Sequence, residues 1–70
     1  MPRKIRQLIR NLQAAGFTEI PGGSKGSHRK FTHHNFSGAV TVSGKDGDDA
    51  KPYQERQIQR AIDEVQNEGQ

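Results

Sequence analysis

The sequence predicts an α+β fold with the order α-β-β-β-α: a three-stranded antiparallel sheet with both helices on one face. Three observations lead there. A segment near each end repeats apolar residues at i, i+3, i+4 and i+7. Between them, three short runs carry β-branched or aromatic residues in alternation. Glycine, proline and asparagine break those runs apart. Two amphipathic helices and one meander pack economically when both apolar stripes lie on the same sheet face. The other face is then left to solvent or ligand.

The first helix is predicted over residues 3–15. Ile5, Leu8, Ile9 and Leu12 form its stripe and Ala15 continues it. Pro2 suits a first-turn position. Gly16 stands where a left-handed cap belongs, with Phe17 folding back onto the last turn. Phe17 to Ile20 is a short strand, stopped by Pro21 and Gly22-Gly23. Residues 28–33 form a second strand with Phe31 inward. Asn35 and Ser37-Gly38 supply a turn, and Ala39 to Ser43 is a third strand with Val40 and Val42 on one face. Gly44 to Lys51 is a loop rich in glycine and aspartate. The second helix runs from about Pro52 to Gln66 on the stripe Ile58, Ala61, Ile62 and Val65.

Seventy residues make one domain, residues 1–70 with a core of about 3–66. At 29% hydrophobic, the chain builds a thin core with no room for a deep cofactor pocket. Chemistry on a polymer lying across the surface remains open to it. The absence of cysteine excludes disulfides, thiolate metal sites and a cysteine nucleophile, and suits a reducing cytosol. No apolar run approaches a membrane span. Charge is uneven. Residues 1–35 hold seven Lys/Arg against Glu19 alone, a net +6. Residues 36–70 hold four against seven Asp/Glu, a net −3. A basic half of this kind is the footprint of a polyanion, most often nucleic acid.

The stretch GGSKGSHRKF, residues 22–31, concentrates the candidate chemistry. Strand alternation with Phe31 inward sets Arg29 and His33 on the helix side and His28, Lys30 and Thr32 on the open face. Composition alone reads GGSKGS as a hairpin turn followed by an exposed histidine. A metal set of His28, His33 and His34 fails on geometry. His33 and His34 point to opposite faces of a continuous strand, and His28 and His34 lie about 20 Å apart at ~3.3 Å per residue. RNA cleavage asks for less. RNA supplies its own nucleophile, the 2′-OH, and needs only a proton acceptor, a cationic environment and a proton donor. A histidine serves at neutral pH. Lys25, Lys30 and Arg29 are candidate phosphate contacts, and Gly26 and Ser27 offer backbone and hydroxyl donors. Alternation makes Arg29 the weakest of these. No metal or other cofactor is required. Asp46, Asp48 and Asp49 lack the register of a calcium loop. They read as a loop turned from the substrate or as a contact for a protein partner. Tyr53 is a residue able to stack on a base, but as an aromatic at a helix start it reads first as packed on the core edge.

Together, IRQLIRNLQAAGF, the glycine-rich turn, KGSHRKF, a valine-rich strand and a closing helix resemble the HicA toxin family over roughly residues 3–66. Gly26-Ser27-His28 matches that family's G-S-H signature. The resemblance implies a double-stranded-RNA-binding-domain-like fold and a cytoplasmic bacterial toxin of a type II toxin–antitoxin system. It further implies a metal-independent endoribonuclease that cleaves mRNA, with His28 as the catalytic general acid/base. The implied partner is a HicB-type antitoxin that binds the monomeric toxin and blocks it. Many relatives carry a second histidine in or just after the third strand. Here the acidic loop KDGDDAKPY takes that place. The alternative reading on the same fold is a non-catalytic module that binds double-stranded RNA by shape.

Overall fold

A computed structural model describes residues 3–21 and 28–67 of the chain. The element order is α1 (Ile5–Ala14), β1 (Thr18–Glu19), β2 (His28–Thr32), β3 (Val40–Ser43) and α2 (Pro52–Asn67). The α-β-β-β-α order read from the sequence is the order observed. The strands form one antiparallel sheet in the order β1-β2-β3. Thr18 pairs with Thr32 and Glu19 with Phe31, while β2 runs against β3 from His28↔Ser43 to Phe31↔Val40. Strand alternation then does what periodicity requires. Phe31, Val40 and Val42 are buried, while His28, Lys30, Thr32 and Thr41 are exposed.

One apolar cluster joins the buried sheet face to both helices. Ile5, Leu8, Ile9 and Leu12 come from α1, and Ile58, Ala61, Ile62 and Val65 from α2. Phe17 and Ala50 complete it. Phe31 and Leu12 are fully enclosed at its centre. Both helices therefore cover the same face. Among the described residues, no helix or strand lies over the polar face that carries Thr18, Thr32, Lys30, His28, Thr41 and Ser43.

The end of α1 follows its sequence signature. Gly16 takes φ +100°, the Gly16 amide donates to the Gln13 carbonyl and the Phe17 amide to that of Leu12. This pair of bonds is a Schellman closure, and Phe17 is buried with Leu12 in the cluster. The start of α1 differs from expectation. The helix begins at Ile5 because Lys4 is extended and pairs as a β-bridge with Asp49. The Ile5 amide donates to the Asp48 carbonyl and the Arg6 amide to that of Asp46. Pro2 lies outside the described residues.

The loop over 44–51 is therefore the N-terminal closure of α1. Its acidic side chains sit where the positive end of a helix dipole favours them. Asp49 pairs with Lys4, and Asp48 accepts the Lys45 amide. Gly44, at φ +118°, makes the approach possible: a Cβ there would stand 3.2 Å from Ile5 Cγ1.

Beyond Thr32 the chain leaves the strand one residue earlier than expected and turns. His33 and His34 consequently do not point to opposite faces; their rings stack with centroids 4.5 Å apart. His33 also lies against Phe17 at 5.2 Å, and its Nδ1 accepts the Asn35 amide. No helix among the described residues is long and apolar enough to cross a membrane.

Candidate active site on the open sheet face

The site is built at one end of the β2–β3 pair. His28 opens β2 and Ser43 closes β3, and the two are cross-strand partners. Partners in an antiparallel ladder share a face, so the imidazole and the hydroxyl meet: His28 Nδ1 stands 3.1 Å from Ser43 Oγ. His28 is an exposed residue.

Ser43 is itself anchored. Gln54 Nε2 donates to the Ser43 carbonyl at 2.8 Å, and Gln54 Oε1 accepts the Lys51 amide at 2.8 Å. The second bond is half of a capping box, in which the third helical residue reaches back to the residue before the helix. Gln54 is only 8% exposed, unusual for its type, and both ends of its amide are satisfied. The first turn of α2 is thus tied through Ser43 to His28.

Lys30 follows two residues along the same face, about 7 Å from His28 at ~3.4 Å per residue. Among the described residues no carboxylate pairs with it. Arg29 is on the other face. Its guanidinium makes two bonds to Glu19, at 2.8 and 3.1 Å, and one to Asp46 at 3.1 Å, above the Phe31 ring. The hydrogen bond to Glu19, with the charges of Glu19 and Asp46, raises the Arg29 pKa above its ordinary value against the lowering effect of burial, so this residue is a permanent cation. Of the expected phosphate contacts, Lys30 shares the face of His28 and Arg29 braces β1, β2 and the acidic loop. Lys25, Gly26 and Ser27 lie outside the described residues. Among the described residues no group of three or more His, Cys, Asp or Glu side chains is arranged to hold a metal ion.

Sequence reasoning missed Ser43 and Gln54 as parts of the site. Alternation with Val40 and Val42 places Ser43 on the open face. Its pairing with His28, however, depends on hairpin register, which no local pattern states. Tyr53 also departs from expectation. It is 49% exposed rather than packed on the core edge.

A family model described as the HicA toxin of bacterial toxin–antitoxin systems matches residues 5–63. That span covers α1, all three strands and α2 as far as Asp63. No curated protein and no solved structure matches the chain.

Proposed function

The chain belongs to the HicA toxin family, the toxin half of a toxin–antitoxin pair, and on that premise we propose that it is a metal-independent endoribonuclease that cuts mRNA with His28. The observation that supports this reading most is the His28–Ser43 contact on an uncovered, polar sheet face. A histidine there is reachable by a polymer and is also held in one orientation.

The chemistry follows from the ring. For His28 to take the proton of a 2′-OH, one ring nitrogen must be free. With Nδ1–H donating to Ser43 Oγ, Nε2 is the free nitrogen. The deprotonated 2′ oxygen attacks the adjacent phosphorus, a P–O2′ bond forms, and the P–O5′ bond breaks. The leaving 5′ oxygen takes a proton from solvent water, giving a 5′-hydroxyl beside the 2′,3′-cyclic phosphate, and the imidazolium gives the proton it took to the hydroxide that remains. In the imidazolium, Nδ1–H still donates to Ser43, so the ring need not turn between its basic and acidic forms. Lys30 is assigned to the charge that develops on the phosphate oxygens. Lys25, Gly26 and Ser27 complete the proposed RNA contacts. Arg29 contributes through the brace it gives β2. The antitoxin is proposed to be of the HicB type and to act by covering this face.

The test compares the native protein with His28→Ala on single-stranded RNA in excess EDTA, with matched DNA as control. Cleavage by the native protein alone, of RNA alone, with cyclic-phosphate ends, is the expected result. Products bearing a 5′-phosphate would indicate an attacking water and overturn the mechanism. Binding without cleavage by both proteins, in buffer and in a translating extract, would leave an RNA-binding module.

A further inference from the structure

Beside His28, on the far side of Ser43, the loop over 44–51 and the first turn of α2 enclose a hollow of about 250 Å³. It is smaller than the ~300–1,000 Å³ of a pocket for a drug-sized ligand, and roomy enough for one planar ring system. Tyr53 forms part of its wall and is the exposed large hydrophobic side chain among the described residues. Ile5 supplies an apolar floor, and Asp48 and Asp49 line the hollow as well. Ser43 belongs both to this lining and to the contact with His28.

We propose that this hollow is a subsite for one unpaired nucleobase flanking the phosphate that is cut. The inference rests on the reading of His28 as the residue that cuts RNA, and it adds where the substrate is gripped. Four features select a base. Strands lie about 4.8 Å apart, so a group in a hollow that starts at Ser43 is within one nucleotide of the His28 ring. A half-exposed phenol offers an aromatic face, the recurring platform for unpaired bases. Asp48 and Asp49 line the hollow with Lys51, and Asp49 is paired with Lys4, so the lining has no net positive charge to draw in a phosphate; the backbone stays on the side of Lys30 and the base enters. Asp48 Oδ2 accepts the Lys45 amide and Asp49 Oδ1 the Lys4 ammonium. Each carboxylate has oxygen lone pairs left to accept from an exocyclic amine. Adenine, cytosine and guanine carry such an amine and uracil does not, so the subsite favours the first three.

Tyr53 is the chain's one tyrosine, and there is no tryptophan. Its emission therefore reports this hollow without interference. The experiment titrates His28→Ala with short single-stranded RNAs in which one abasic nucleotide is moved along the chain. Fluorescence anisotropy of a 5′ label measures binding, and tyrosine emission measures stacking. Intact RNA is expected to quench Tyr53. One abasic position is expected to abolish the quench and weaken binding about 5- to 100-fold, the range for one lost base–aromatic stack. Tyr53→Ala should lower kcat/KM by a similar factor with an unchanged thermal midpoint. It should also remove the sensitivity to that abasic position. Full binding with unaltered emission and no sensitive position overturns the subsite. Should His28-dependent cleavage persist in that case, the enzyme reading survives the loss. Should the native protein not cut, the emission titration still decides the hollow, because it requires binding alone.

Discussion

Among the described residues one side-chain hydrogen bond holds His28, and it has a measurable signature. Ser43→Ala leaves Nδ1 without its acceptor and frees the ring to exchange tautomers. A lost hydrogen bond of this kind is worth about 1 kcal/mol, so cleavage is expected to slow by about 5- to 10-fold. The thermal midpoint should hold, because the hydroxyl is on an uncovered face. Nitrogen-15 spectra of the His28 ring should show one dominant tautomer in the native protein and a mixture in Ser43→Ala. An unchanged tautomer ratio would remove Ser43 from the mechanism. His28 was legible in the sequence because alternation around Phe31 is a local rule. Ser43 was not, because it lies fifteen positions away across a turn whose length sets the register. Tyr53 was misjudged for a related reason. An aromatic at a helix start packs or projects according to what the preceding loop does, and this loop is committed to α1.

At the level of elements, the caps decide where structure begins and ends. The Gly16 closure was readable because glycine after an apolar stripe has a stereochemical meaning. Gly16→Ala forces a Cβ into a left-handed backbone and to within 3.0 Å of His33 Nε2. The expected cost is about 1–2 kcal/mol. In a domain of this size the midpoint falls by about 4–8 °C per kcal/mol, measured by thermal melting in circular dichroism. A midpoint lowered by less than one degree would mean that the closure does not limit stability. Ile20 is bonded to the Lys30 carbonyl beyond the two named residues of β1. The sheet edge is thus longer in hydrogen bonds than in pleat. The start of α1 was not readable. Its first amides are closed by carbonyls of Asp48 and Asp46, and backbone acceptors leave no mark in residue type. The acidic composition of that loop was visible, but its destination was not.

For the whole molecule, the apolar pattern was enough to specify the layers. Thirteen buried apolar residues form one cluster, and each helix and each long strand gives its periodic set to it. Phe31 lies in this cluster with no exposed surface. Phe31→Ala is expected to cost about 3–5 kcal/mol, most of the stability of a domain this small. Urea unfolding should show loss of a cooperative transition at 37 °C. The charge split, +6 against −3, also has its explanation in three dimensions. Asp46 and Asp49 are paired with Arg29 and Lys4, so acids of the second half neutralise cations of the first. Lys30 is left on the proposed RNA face. Each phosphate neutralised on a single strand adds about 0.7 to the slope of log affinity against log salt. Lys30→Ala should reduce that slope by about that amount; an unaltered slope would take Lys30 out of the interface.

The closure of α1 by the loop over 44–51 also orders events in time. The helix is made first on the ribosome, but the carbonyls that finish it lie about forty residues downstream, a long-range contact for so short a chain. Ser43, which holds His28, emerges with the same late segment, and Gln54, which holds Ser43, later still. A nascent or truncated chain ending before residue 46 has an open first helix and an unoriented histidine. The catalytic arrangement proposed here is therefore completed only after most of the protein has been translated. On the proposed function, the histidine becomes oriented only in copies translated past Gln54.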